Sequence, residues 1–122
     1  MKPAPREMHS GAYFKSEEGN AKFYIFGGRV NRREIDDSIH SLDLETNTWN
    51  KLEIAMPRVS CAHCCTAINN TTIALFGGTN GGIPFYEEML LFDFSANKWR
   101  TVDYEKLKDV RNLGREEEVK SR

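Results

Sequence analysis

The segment Cys61-Ala62-His63-Cys64-Cys65 crowds all three cysteines of the chain around an imidazole, the densest group of metal-ligand and nucleophile types present. A C-x2-C spacing beside a histidine resembles half of a zinc site. The other half is missing: no second pair of ligands follows at suitable spacing, and His9 and His40 lie far away in sequence. Along an extended strand, alternation sends Cys61, His63 and Cys65 to one face and Ala62 and Cys64 to the other. Small residues packing a covered strand are therefore expected here, with no metal. Gly77-Gly78-Thr79-Asn80-Gly81-Gly82 has the glycine content of a phosphate cradle. It lacks the Gly-Lys-Ser/Thr helix start and the βαβ setting that such cradles need. The pairs Asp36-Asp37 and Glu87-Glu88 have the residue type of glycosidase carboxylates, but fall in segments read as loops, where nothing splits their proton affinities. They are expected to form a solvated rim. No Ser/His/Asp order stands out, so no catalytic residue and no cofactor is assigned. The chain is read as non-enzymatic.

Composition narrows the class of partner. The chain has 122 residues and a net charge of −1 from 17 basic and 18 acidic side chains. That balance gives no electrostatic reason to expect a nucleic acid or an anionic membrane. No apolar run approaches the length of about 18 residues that spans a bilayer. Met1-Lys2-Pro3-Ala4-Pro5-Arg6-Glu7 has no apolar core of a secretory signal, and an odd, crowded set of cysteines makes a poor disulfide framework. A reducing compartment, cytoplasmic or nuclear, is expected.

What positions these groups is an internal repeat. Lys22-Phe23-Tyr24-Ile25-Phe26-Gly27-Gly28 returns as Thr72-Ile73-Ala74-Leu75-Phe76-Gly77-Gly78. Leu42-Asp43-Leu44-Glu45-Thr46-Asn47-Thr48-Trp49 returns as Phe92-Asp93-Phe94-Ser95-Ala96-Asn97-Lys98-Trp99. Glycine doublet, aspartate, asparagine and tryptophan thus recur in one register, about 50 residues apart. Pro5-Arg6 aligns with Pro57-Arg58 after a small gap. Each unit reads as four short strands, over residues 11–16, 21–27, 39–44 and 48–54, then 61–68, 72–76, 89–94 and 98–103. The doublets Gly27-Gly28 and Gly77-Gly78 supply positive φ and close backbone approach at a strand end. Asp43 with Asn47, and Asp93 with Asn97, bracket tight turns. Trp49 and Trp99 offer large apolar plates for packing between sheets.

Gly-Gly, a spacer, then Leu/Phe-Asp-x-x-x-Asn-x-Trp, in units of this size, resembles the kelch repeat of β-propellers. The resemblance runs over roughly residues 4–103. It implies an all-β fold of two four-stranded antiparallel blades, a partial propeller. The organisation expected is an N-terminal extension over 1–5, blades over 6–54 and 55–103, and a charged tail over 104–122 that forms a short helix and then disorder. A closed propeller typically needs 4–8 blades, and two do not close. The chain then derives from a longer kelch protein, assembles with itself or another kelch chain, or stands alone as a two-blade stack.

In kelch propellers the loops joining the second and third strands lie on a face used for binding. Here those segments are 29–38 and 79–88. The first carries Arg29, Arg32 and Arg33; the second carries Phe85 and Tyr86, which either pack on their own blade or offer an aromatic anchor. Arginine and tyrosine are enriched at interface hot spots. Arg29, Arg32, Arg33, Arg58 and Tyr86 are accordingly the candidate contacts of a protein–protein interaction module, with a protein as partner. The alternatives are that these segments are solvated connectors, and that the chain is a fragment of a longer kelch protein without independent activity or a fragment of a propeller-type enzyme.

Overall fold

Aromatic and β-branched runs favour the pleated, half-buried strand, and the chain uses them to build two separate sheets. The computed structural model describes residues 2–16, 18–82 and 84–102. The first sheet is formed by β1 (Ser10–Lys15), β2 (Ala21–Arg29), β3 (Ile35–Asp43) and β4 (Thr48–Lys51) in that order. The second repeats it with β5 (Cys61–Ala67), β6 (Thr72–Thr79), β7 (Met89–Asp93) and β8 (Lys98–Thr101). All neighbouring pairs are antiparallel. The described residues contain no helix. The helix and disorder expected over 104–122 lie outside the described residues.

The turn between the third and fourth strands is built identically in both sheets. Asp43 Oδ1 accepts from Glu45 N at 2.9 Å and Thr46 N at 3.3 Å, while Asp93 Oδ1 accepts from Ser95 N at 3.0 Å and Ala96 N at 3.1 Å. Asn47 and Asn97 then turn the chain at φ of 56° and 51°, a region asparagine tolerates better than most residues.

The glycine doublet departs from expectation. Gly27 and Gly28 take φ of 56° and 99°, but the strand continues through them. A register shift between Phe26 and Gly28 marks a bulge, after which Gly28 pairs with Asp36 and Arg29 with Ile35. β2 and β3 therefore run further than residues 27 and 39, and the connecting loop shrinks to 30–34. The acidic pair Asp36-Asp37, expected on a solvated loop, lies in β3 and is half-buried. A bulge absorbs an extra residue without ending the ladder, which is why the doublet is not a stop signal. Conversely, β4 ends at Lys51 rather than running to residue 54.

The core lies between the sheets. Tyr24, Phe26 and Ile39 face Ile73, Leu75, Leu90 and Phe92, and Met56 fills in from the connection. Phe26 and Phe92 meet edge-on at 6.0 Å, and Trp99 packs against both, at 6.0 Å and 4.8 Å. Such ring pairs contribute roughly 0.5–1.5 kcal/mol each beyond the area they bury. Trp99 Nε1 donates to Ala55 O at 3.1 Å, so the indole is also oriented. Repeat-equivalent residues differ in burial according to which way they look. Phe26 is fully buried against the second sheet, whereas its counterpart Phe76, facing away from the first, is 45% exposed.

Candidate protein-binding rim

The short loop 30–34 of the first sheet and the longer segment between β6 and β7 emerge at the same end of the stack. They touch at their bases: a Cβ built on Gly81 would stand 3.1 Å from Ile35 Cδ1. Gly81 takes a φ of 98°, a conformation that favours glycine where the second loop meets the start of β3. Thr79 closes that loop by donating its hydroxyl to Gly82 O at 2.7 Å while accepting from Gly81 N.

Four of the five candidate contacts divide between two hollows on this rim, and Arg33 borders neither. Arg29 and Arg32 border one of about 420 Å³, beside Pro5 and Glu7. Arg29 Nη1 donates to Arg32 O at 3.0 Å, which holds the loop compact. Arg32 and Arg33 are exposed, and neither has a carboxylate partner among the described residues. Arg58 and Tyr86 border the other hollow, of about 620 Å³, with Phe85 and Glu87.

Arg58 and Tyr86, 28 positions apart in the numbering, form one unit. The guanidinium lies 3.7 Å from the centroid of the Tyr86 ring. Its Nη1 donates to Glu88 at 3.0 Å, while Nε and Nη2 have no acceptor among the described residues. The Tyr86 hydroxyl donates to Val59 O at 3.1 Å, pinning the loop to the connection that carries Arg58. Stacking of this kind is worth roughly 0.5–2 kcal/mol. Phe85, left open between packing and anchoring, is 60% exposed.

Sequence reasoning overlooked the equivalent latch in the first sheet. Arg6 donates to Asp36 at 2.7 Å and to Gly27 O at 3.0 Å, and its side chain is only 6% exposed. Arg6–Asp36 and Arg58–Glu88 are both separated by 30 positions, a spacing the aligned Pro-Arg pairs made findable. Burial pushes the Asp36 carboxyl upward, but the Ser38 hydroxyl and the Arg6 guanidinium outweigh it and hold the group below the usual carboxylate range.

Asp36, Ser38 and His40 share one face of β3, and their order resembles a hydrolase triad. The wiring is wrong for that chemistry. Ser38 donates its hydroxyl to Asp36 in a short hydrogen bond, whereas a nucleophilic serine must give its proton to the histidine. His40 Nδ1 stands 3.4 Å from the same oxygen. The Cys61–Cys65 run alternates as the strand requires, with Cys61 and His63 buried and Ala62 and Cys64 exposed. Among the described residues no three metal-ligand types come together, and no helix is long and apolar enough to cross a membrane.

Comparison with known proteins accords with this architecture. A family model of the KLHDC2/KLHL20/DRC7 Kelch-repeats domain matches residues 1–112. Mus musculus kelch domain-containing protein 1 is 30% identical over a 125-residue alignment covering 96% of this chain and 29% of its own. Homo sapiens host cell factor 2 is 39% identical over 79 residues, 62% of this chain and 10% of its own. The chain thus spans less than a third of either relative. The solved structure of YjhT superposes with a TM-score of 0.66 at 20% identity, over 80% of this chain and 38% of that one. Glycine doublet, Asp–Asn turn and tryptophan, set in two four-stranded sheets with a matching family signature, show that the chain belongs to the Kelch-repeats domain family.

Proposed function

We propose that the chain is a non-catalytic protein-recognition module whose contact surface is the loop rim. The observation that carries this reading is the Arg58–Tyr86 unit. An arginine and an aromatic ring from different segments are pre-ordered by a stack, an ion pair and a backbone hydrogen bond, beside an exposed phenylalanine and an open hollow. Pre-ordering lowers the entropy a binding surface loses on association. Arg32 and Arg33 add unpaired cations suited to a carboxylate-bearing protein partner.

A peptide-display selection on the immobilised chain tests the reading. Peptides enriched by the wild type are expected to be lost with Tyr86→Ala and with the double variant Arg32→Glu plus Arg33→Glu, while thermal melts stay within a few degrees. Enrichment indifferent to both variants would remove the rim as the contact surface. A second reading is favoured by the small share of each relative that the chain spans: the two sheets act only within a longer Kelch protein. Three free thiols suit a reducing cytoplasmic or nuclear setting.

A further inference from the structure

Near the glycine doublet of β2, the seam between the sheets is polar rather than apolar. Gly28 N donates to Ser60 O at 2.9 Å, and Ala62 N donates to Met8 O at 2.8 Å. Between them, His63 of β5 reaches across to the carbonyl of Phe26 in β2, with Nε2 at 3.0 Å. A carbonyl can only accept, so Nε2 carries the proton and Nδ1 of the neutral ring is a bare acceptor. Nδ1 is enclosed without a hydrogen-bond partner among the described residues, and the residue is 7% exposed.

On β3 the carboxylate of Asp36, opposite Gly28, is already paired with Arg6, and no carboxylate among the described residues acts on His63. β2 presents a carbonyl and glycines. β6 presents Gly77, paired with His63, and Gly78, where a Cβ would stand 3.0 Å from His63 Cβ. On its own strand Cys61 and Cys65 share its face, and burial pushes the Cys65 thiol up, keeping it neutral. The segment ahead of β1 contributes His9, another base, whose charge disfavours a second one.

We propose that this seam is an acid-sensitive joint, opened when His63 takes up a proton. Protonation puts an N–H on Nδ1 where no acceptor lies within hydrogen-bond reach among the described residues, in a site the fold encloses. Burial, with His9 assisting, holds the ring below the ordinary histidine range despite the favourable carbonyl bond. The opened form therefore binds more protons than the closed one. Stability present at neutral pH is lost as pH falls below about 6.5, and the loss continues until the lowered value of the closed form is passed. Within that window one extra proton raises the opened population about tenfold per pH unit. The joint sits immediately before Gly27, whose bulge leads β2 into the loop of Arg32 and Arg33, so opening loosens the base of that loop.

Amide hydrogen exchange on the whole chain from pH 7 to pH 5, corrected for the intrinsic pH dependence, reads the joint at Gly28 and Ala62. Opening at both is expected to rise below about 6.5, by up to about tenfold per unit, and to level off once the lowered value of the closed form is passed. The rise should be absent in His63→Gln, whose amide still donates to Phe26 O but does not titrate. It should persist in His40→Gln, the other buried histidine. A flat wild-type profile, or an equal rise in His63→Gln, would overturn the proposal. Should His63→Gln not fold, the wild-type ring decides by NMR: a His63 that titrates at or above about 6.5 overturns it, and one that titrates lower with the proton on Nε2 upholds it.

Discussion

Alanine at Gly78 is expected to destabilise the fold well beyond alanine at Gly77, although the two are adjacent and share a positive φ, 93° and 77°. Both substitutions force a Cβ into the left-handed region, which costs roughly 1–2 kcal/mol. Only one of them also collides. At Gly77 the added Cβ would meet nothing closer than Tyr86 O at 4.0 Å. At Gly78 it would lie 2.9 Å from Cys61 O and 3.0 Å from His63 Cβ, with Ser60 Oγ nearer still. The Ser60 hydroxyl can rotate away, but the Cys61 carbonyl is backbone, so relief requires β5 to shift. Overpacking of that kind adds about 1–3 kcal/mol. The expected totals are therefore about 1–2 kcal/mol for Gly77→Ala and about 2–5 kcal/mol for Gly78→Ala. Urea titration followed by tryptophan fluorescence measures both, provided the slope is unchanged between variants. Equal losses, within about 0.5 kcal/mol, would refute the claim that close approach, and not conformation alone, requires glycine at Gly78.

The two arginine latches should separate by burial. Arg6→Ala leaves the Asp36 carboxylate half-buried and unpaired and should cost about 2–4 kcal/mol, whereas Glu88→Gln, which breaks only the ion pair of the second latch at a carboxylate 53% exposed and keeps the Arg58–Tyr86 stack, should cost under about 1 kcal/mol; chemical denaturation measures both. Asp36→Asn should flatten the acid limb of stability. The depressed carboxyl stabilises the fold above its ordinary value near 3.9 and loses that contribution as pH falls through the lower folded value, so the variant's melting temperature should change less below pH 4 than the wild type's.

Much of the fold was legible because its landmarks are local. Asp43 and Asp93 cap turns two and three residues away, so residue type and spacing suffice to find them. The apolar runs of β2 and β6 are long enough to identify without a partner. The strand ends were harder to read, because a glycine doublet stops a ladder or bulges it depending on whether the opposite strand supplies partners. Here Asp36 and Ile35 do. On the rim, residue type singled out Arg58 and Tyr86, but their stacking depends on how two loops fold back together. The role of His63 was least visible: alternation along β5 buries it, yet only the apposition of the sheets shows that it bridges to Phe26 and leaves one nitrogen bare.

The stacking of one sheet on the other holds both rim loops in place, and a double-mutant cycle between Phe26 and Trp99 tests it most directly. Their rings come from different sheets and lie 6.0 Å apart. Stability is measured for Phe26→Leu, Trp99→Leu and the pair. Face-to-face sheets predict a coupling of about 0.5–1.5 kcal/mol. Losses that simply add, with a coupling below about 0.3 kcal/mol, would contradict the stacked arrangement.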